Sequence, residues 1–155
     1  MSGPRKTAIV TGASQGIGAG IVKAFVERGF NVVATSLTVT QSTEVAGSDH
    51  VALVDGDIGE SATAAKIVEV ALSRFKSIDA LVNNAGIFVT KPFTDYTAED
   101  FKSLVSTNVE GFLYVTQLAI KQMLAQTTGG SIVTITAALA HNPIRGITAA
   151  VPRAV

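Results

Sequence analysis

Cysteine is absent from this chain of 155 residues, and charged side chains are scarce, at 15% of the total. The lack of cysteine excludes disulfide bonds and thiolate chemistry, and it fits a reducing compartment. The 12 basic and 12 acidic residues give a formal net charge of zero, and neither sign forms a block. The charge pattern therefore indicates neither a nucleic-acid surface nor a charged tail.

Long apolar runs are also missing, so no segment is predicted to cross a bilayer. The N-terminal segment Met1–Lys6 has no apolar core of the kind found in signal peptides. We therefore expect a cytoplasmic protein whose partners include neither nucleic acid nor membrane.

The chain is rich in apolar residues, at 47%, and they occur in short runs. Such runs are typical of strands in a parallel sheet that is buried on both faces. The length suggests one domain, residues 1–155, since a chain of this size buries roughly 70% of its unfolded surface.

Strand-like and helix-like segments alternate along the chain. Strands are predicted at Thr7–Thr11, Asn31–Thr35, Val51–Val54, Ala80–Val82 and Ser131–Thr136. Helices are predicted at Ile17–Arg28, Ser61–Phe75 and about Glu99–Gln126. The spacing places Ile17 and Phe101 on apolar helix stripes, and Thr97 with Asp100 resembles a capping box. The alternation predicts an α/β fold with a Rossmann-type, doubly wound parallel sheet.

The strongest motif is Thr11-Gly12-Ala13-Ser14-Gln15-Gly16-Ile17-Gly18, which follows the first strand and opens the first helix. Glycine permits a tight turn and leaves no Cβ between the backbone and a ligand. The first helical turn then presents unpaired N–H groups and a positive dipole end to phosphates. This context predicts a dinucleotide site, and a glycine-rich turn without a ligand is the alternative.

Further motifs follow in a characteristic order: Asp57-Ile58, Asn83-Asn84-Ala85-Gly86, Asn108-Val109-Glu110-Gly111 and the strand beginning at Ser131. Together with the glycine motif, over about residues 5–140, the chain resembles the short-chain dehydrogenase/reductase family. The resemblance implies NADP or NAD as cofactor, and hydride transfer between the nicotinamide and a small carbonyl or alcohol substrate.

The resemblance also implies which residues bind the cofactor. Those expected around the adenosine and pyrophosphate are Gly12, Ser14, Gly16, Ile17 and Gly18. Asp57 is expected to bond the adenine amino group, and Ile58 to pack on the ring. Those expected on the route to the nicotinamide ribose are Asn83, Ala85 and Gly86. A turn role for Asp57, and a bend-stabilising role for Asn83 and Asn84, are the alternatives.

The choice between NADP and NAD depends on the residues after the second strand. An acidic residue there favours NAD, and an arginine favours NADP. The segment Thr35–Thr38 has neither, and the hydroxyls of Ser36 and Thr38 can donate to a 2′-phosphate. Gln15 stands where NADP-preferring relatives often carry arginine. These features favour NADP slightly, with NAD as the alternative.

Asn108 lies on the apolar stripe of the long helix, where a buried amide must be hydrogen-bonded. In the family, the matching asparagine perturbs the helix and helps to hold a proton-relay water near the catalytic lysine. The resemblance therefore makes Asn108 a catalytic candidate, and a satisfied core amide is the alternative.

The catalytic serine, tyrosine and lysine of the family have no match. The serine position aligns with Ala137, and the neighbouring Thr136 is a candidate hydroxyl that points to the other face of the strand. The tyrosine and lysine positions fall near Ala150 and Ala154. His141 is a weak substitute acid, with a loop position as the alternative.

Without that acid–base pair, we expect an NAD(P)-dependent oxidoreductase whose activity is impaired by roughly 10²–10⁴-fold. The alternatives are a non-catalytic nucleotide-binding or association module and a non-functional gene fragment. A sheet truncated after its fifth strand exposes an apolar edge at Ser131–Thr136 and one face of the long helix. Such surfaces favour a homo-oligomer or another association.

Overall fold

The computed structural model describes residues 4–137 of the chain. Its strands are β1 (Thr7–Thr11), β2 (Asn31–Ser36), β3 (Val51–Asp55), β4 (Ala80–Asn83) and β5 (Ser131–Thr134). Its α-helices are α1 (Gly16–Glu27), α2 (Ser61–Val70), α3 (Ala98–Val105) and α4 (Gly111–Ala125). Short 3₁₀ turns lie at Val39–Gln41 and Phe93–Asp95, and π-helical segments at Ala71–Phe75 and Ser106–Glu110. Within this described part, no helix combines the length and apolarity needed to cross a membrane.

All strand pairs are parallel, and the order across the sheet is β3-β2-β1-β4-β5. The chain runs outward from β1 to β3 and then returns to the other side of β1 to form β4 and β5. This reversal confirms the predicted doubly wound, Rossmann-type sheet. It also opens a crevice beyond the carboxyl ends of β1 and β4, where such folds bind ligands.

The central strand β1 is buried along its whole length. Because side chains alternate across a strand, Ile9 and Val10 face opposite layers of the protein. Ile9 belongs to the core beneath α2 and α4, which includes Ile67 and Val115. Val10 belongs to the core beneath α1, which includes Val22. Burial on both faces accounts for the continuous apolar run of this strand.

The predicted helix over 99–126 is divided by the π-helical segment Ser106–Glu110. The π-helical segment and the start of α4 pack closely against the turn after β3. A Cβ added at Gly59 would lie 2.1 Å from Ser106 Oγ, and one added at Gly111 would lie 2.6 Å from Ile58 Cγ2. Tight packing against this turn accompanies the extra backbone residue of the π segment.

Two residues predicted on apolar helix stripes are exposed instead. Ile17 is 66% exposed in the first turn of α1, and Phe101 is 60% exposed in α3. Both stand in the first turn of their helix, before the buried apolar residues Val22 of α1 and Leu104 of α3. Within residues 4–137, β5 pairs only with β4, and its four side chains are exposed.

The predicted capping box at the start of α3 is confirmed. Thr97 Oγ1 accepts a hydrogen bond from Asp100 N at 3.1 Å, and the Asp100 carboxylate accepts one from Thr97 N at 2.8 Å. A further hydrogen bond from Lys91, together with those from Thr97, lowers the pKa of Asp100 to about 2. The Asp100 carboxylate is therefore ionised at neutral pH, and both hydrogen bonds of the capping box are made.

Replacing Thr97 with alanine should lower the free energy of unfolding by about 1 kcal/mol, because the side-chain acceptor at the helix start is lost. Urea denaturation followed by circular dichroism measures this change. Thr94→Ala in the preceding 3₁₀ turn is the control. Among the described residues, the Thr94 side chain bonds only the adjacent Asp95 side chain. Equal stability of the Thr97 variant and wild type would contradict the role of the cap.

Candidate functional site

A cleft of about 660 Å³ opens at the carboxyl ends of the strands, a size typical of small-molecule sites. Its walls come from the glycine-rich turn, the end of β2, the turn after β3 and the segment after β4. It brings together the following residues of the predicted cofactor set: Gly12, Ser14, Gln15, Gly16, Ile17, Gly18, Ser36, Asp57, Ile58, Ala85 and Gly86. Of that set, only Asn83 is absent from the cleft wall.

The glycines of the turn allow the backbone to fold back on itself. Gly12 and Gly16 have φ angles of 63° and 57°, in the left-handed region that favours glycine. A Cβ at Gly18 would lie 2.1 Å from the carbonyl oxygen of Gly12, so no side chain fits there. A Cβ at Gly16 would have no neighbour within 4 Å, because the space beside it is open.

The first turn of α1 contains N–H groups that have no partner within the helix. Gln15, at the N-cap position, makes no side-chain capping bond, and this turn contains no acidic residue. The amides of Gly16, Ile17 and Gly18 therefore lack helical partners, and they form the positive end of the helix dipole. This arrangement can bind an anionic group such as a phosphate.

Asn84 fastens the segment after β4 to the glycine-rich turn. Its Nδ2 donates to the carbonyl oxygens of Thr11 at 3.1 Å and Gly12 at 3.0 Å. The amides of Asn84 and Ala85 both donate to Thr11 Oγ1 at 3.0 Å. The hydrogen bonds thus support the bend-stabilising alternative for Asn84, which also lines the cleft.

Asn83 points away from the cleft. It is 6% exposed, and its Nδ2 donates to Thr116 Oγ1 of α4 at 3.0 Å. Successive side chains on a strand face opposite sides, so Asn83 and Asn84 have different surroundings. The bond joins β4 to α4, which differs from the bend-stabilising role considered as the alternative for Asn83.

Asp57 and Ile58 form the wall after β3. Asp57 Oδ1 accepts a hydrogen bond from Gly59 N at 2.9 Å, which is the turn role considered as an alternative. Asp57 remains exposed, whereas Ile58 is 8% exposed and packs into the core under α4. An exposed carboxylate and an apolar surface thus lie side by side at this wall.

The end of β2 holds two buried hydroxyl groups without a hydrogen-bond partner among the described residues, Thr35 Oγ1 and Ser36 Oγ. Both residues line the cleft, and Thr35 is only 1% exposed. An unsatisfied buried polar group costs about 1–3 kcal/mol, so such atoms point to a missing ligand. Ser36 was predicted as a site residue. Thr35 was missed, because a β-branched residue in an apolar strand also fits the core.

Asn108 is satisfied by the backbone of the segment after β4. Its Oδ1 accepts from Ile87 N at 2.8 Å, and its Nδ2 donates to Ile87 O at 3.0 Å. It lies in the π-helical segment Ser106–Glu110 and holds the chain that leads away from Gly86. These bonds satisfy the side-chain amide of Asn108, which is half-buried, and they make it a positioning group for the Ile87 backbone.

Thr136 lies after the end of β5, is exposed and does not line the cleft. Ala137, at the serine position of the family, is half-buried. His141, Ala150 and Ala154 lie outside the described residues.

Replacing Gly18 with alanine should force the turn apart, because the new Cβ would meet the Gly12 carbonyl at 2.1 Å and Asn84 Nδ2 at 2.8 Å. We expect a destabilisation of about 1–3 kcal/mol, as for other overpacked sites, measured by thermal and urea unfolding. Gly20→Ala is the matched control. A Cβ there meets nothing within 4 Å, so this change should stabilise α1 slightly. Equal effects of the two substitutions would contradict the close approach.

Replacing Asn108 with alanine should release the backbone of Ile87, because both of its hydrogen bonds to the side chain are lost. Amide hydrogen exchange measured by NMR should then be faster at Ile87 than in wild type. Glu110→Ala in the same π segment is the control and should leave this rate unchanged. An unaltered rate at Ile87 in the Asn108 variant would contradict the positioning role.

Comparisons with known proteins agree with this geometry. The family model for short chain dehydrogenases matches residues 6–149. An NADP-dependent (R)-specific alcohol dehydrogenase of Lentilactobacillus kefiri is 35% identical over 132 residues, which are 83% of this chain and 52% of that protein. An uncharacterised oxidoreductase of Methylorubrum extorquens is 36% identical over 137 residues, 84% of this chain and 54% of its own. The chain thus spans about half the length of these curated relatives.

Solved structures show the same fold. The crystal structure of a short chain dehydrogenase from Bacillus anthracis matches with a TM-score of 0.83 at 25% identity, covering 96% of this chain and 63% of that one. A short-chain dehydrogenase/reductase from Brucella melitensis matches with a TM-score of 0.78 at 27% identity, covering 93% and 61%. Sequence motifs, sheet order and these matches agree: the chain belongs to the short-chain dehydrogenase family.

Proposed function

We propose that this chain binds a nicotinamide dinucleotide in the cleft, and that it serves hydride transfer between the nicotinamide and a small carbonyl or alcohol substrate. The observation that carries the proposal is the pairing of two features in one cleft. The N-cap residue of α1, Gln15, makes no side-chain capping bond, and the buried hydroxyls of Thr35 and Ser36 have no partner among the described residues. Both features fit a ligand that has phosphates and a ribose.

Each wall of the cleft suits one part of the cofactor. The amides of Ile17 and Gly18 suit the pyrophosphate, because they lack helical partners and lie at the positive end of α1. The amide of Gly16 lies beside them and donates to the exposed Glu44 carboxylate at 3.4 Å. Thr35 and Ser36 suit the adenosine ribose, since their hydroxyls can donate to its oxygens or accept from its hydroxyls.

Asp57 and Ile58 suit the adenine, the first as an acceptor and the second as an apolar surface. Ala85 and Gly86 suit the nicotinamide side. When bound, the cofactor supplies or accepts the hydride, and the residues of this chain hold and orient it.

NADP is the proposed cofactor, and NAD is the second candidate. The end of β2 offers the hydroxyl groups of Ser36 and Thr38 and no charge at the cleft wall. Gln15 also lines this wall with a neutral side chain. The name of the Lentilactobacillus relative, an NADP-dependent enzyme, gives further support.

Asn108 and Thr136 remain proposals for the catalytic side of the site. Asn108 acts as a positioning residue through its two hydrogen bonds to the Ile87 backbone. Thr136 is the candidate hydroxyl next to Ala137, the position that carries serine in the family. A cytoplasmic location is part of the same proposal.

A second candidate function is a nucleotide-binding or association module without chemistry of its own. It is favoured by apolar side chains that are exposed on α4 and β5, such as Leu124 at 75% and Val133 at 51%. Exposed apolar surface of this kind suits a homo-oligomer or another protein partner.

Calorimetric titration with NADP⁺ and NAD⁺ tests cofactor binding. We expect heat of binding and a raised melting temperature with both cofactors. Ser36→Ala should weaken NADP⁺ binding by about tenfold, since a hydrogen bond to a charged group contributes about 1.5–3 kcal/mol. Ser73→Ala, at an exposed position of the Ala71–Phe75 segment, is the control and should bind as wild type. No heat and no thermal shift at millimolar cofactor would remove the proposal.

A hydride-transfer assay with NADPH and a panel of small ketones separates the two candidate functions. Turnover that Thr136→Ala abolishes would support an enzyme with an atypical hydroxyl. Binding without turnover would support the association module.

A further inference from the structure

The loop between β2 and β3 folds back over the glycine-rich turn. Val39 and Val45 anchor it in the core, at 0% and 6% exposure. Ser42 Oγ donates to Ser14 O at 2.6 Å and accepts from Val45 N at 3.0 Å. These contacts fix the position of the loop beside the cleft. None of the sequence motifs named above includes a residue of this loop.

This loop brings a carboxylate to the start of α1. Glu44 Oε1 accepts a hydrogen bond from Gly16 N at 3.4 Å, on an exposed surface. Gly16 is the first residue of α1 and lines the cleft. The negative charge of Glu44 thus stands where the helix dipole is positive.

The same corner holds the end of β2. Ala13 N, in the glycine-rich turn, donates to Thr35 O at 3.0 Å, so the two segments are in contact. Thr35 and Ser36 line the cleft here, and their buried hydroxyls have no partner among the described residues. In dinucleotide-binding folds, the residue after this strand reads the 2′ position of the adenosine ribose. Residues at this corner can therefore discriminate between the 2′-hydroxyl of NAD and the 2′-phosphate of NADP.

Nothing in the two adjoining segments neutralises Glu44. Residues 7–22 and 29–50 contain no lysine or arginine. Two other carboxylates belong to this region. Asp49 lies near the end of the loop, and Asp55 accepts a hydrogen bond from the amide of Thr40 at 2.9 Å. Hydrogen bonds from the Thr40 side chain and amide lower the pKa of Asp55. Neither Asp55 nor Glu44 lines the cleft itself, but Glu44 bonds Gly16, which does.

We infer that Glu44 is a specificity-determining residue that acts against the 2′-phosphate of NADP. In other proteins of this fold an acidic residue directly after the second strand favours NAD, and Thr35–Thr38 has none. Glu44 supplies the carboxylate from the loop instead. A 2′-phosphate carries up to two negative charges and is repelled by the carboxylate, whereas a 2′-hydroxyl is neutral and can donate to it. Glu44 thus lowers the affinity for NADP relative to the affinity for NAD. This inference rests on the proposed dinucleotide function.

The test measures affinities of the full chain for NAD⁺ and NADP⁺ by calorimetry, in wild type, Glu44→Gln and Glu44→Lys. Glutamine keeps an acceptor for Gly16 N and removes only the charge. We expect the ratio of NADP⁺ to NAD⁺ affinity to rise by about three- to tenfold in Glu44→Gln, and further in Glu44→Lys. Salt should reduce these gains, because Glu44 is exposed.

Glu27→Gln is the matched control. Glu27 is exposed at the other end of α1, about 16 Å from Gly16 at 1.5 Å per residue, so its charge is screened. An unchanged affinity ratio in both Glu44 variants, with both cofactors bound, would overturn the inference and leave the proposed function intact. The same ratio change in Glu27→Gln would also overturn it, by showing an effect of net charge alone. Failure of wild type and all variants to bind either cofactor would end both proposals.

Discussion

The close approach of two backbone segments, at Gly12 and Gly18, is the constraint on which the rest of this structure depends. A Cβ at Gly12 would stand 2.8 Å from Ala85 Cα, and one at Gly18 would stand 2.1 Å from the Gly12 carbonyl. Because neither side chain exists, α1 can begin directly over the end of β1, and the segment after β4 can rest against it. Asn84 and Thr11 then fix this contact with hydrogen bonds. The cleft is the space that this arrangement leaves open.

Five of the residues that line the cleft are glycines, which contribute only backbone to its wall. In the proposed function, the amides at the start of α1 bind phosphate through backbone geometry. We propose that selectivity between cofactors depends instead on Ser36, Thr35 and Glu44, which lie at the same corner, on β2 and on the following loop. Asn108 acts on the opposite wall, where it fixes the path of the chain through Ile87.

The sequence predicts the elements that local patterns determine. The bounds of β1 match, since an apolar run followed by the glycine motif fixes both of its ends. The capping box at Thr97 and Asp100 is likewise a local pattern, and the structure contains it. The ends of α2, α3 and β5 differ from prediction, because helix continuity and strand length depend on what packs against them.

The rest of the site depends on contacts distant in sequence. No local pattern distinguishes Asn83, which bonds Thr116, from Asn84, which bonds Thr11 and Gly12. Helical spacing places Ile17 on an apolar stripe, but only the extent of the sheet shows that it is uncovered. The bond between Glu44 and Gly16 spans the whole of β2. No local pattern at the end of that strand predicts this bond.

The most direct test of the cleft as a dinucleotide site is an NMR titration of the ¹⁵N-labelled chain with NADP⁺. The account predicts that the largest amide shifts occur at Gly16, Ile17 and Gly18, with further shifts at Thr35 and Ser36. Shifts confined to α4 and β5, or none at saturating cofactor, would contradict it.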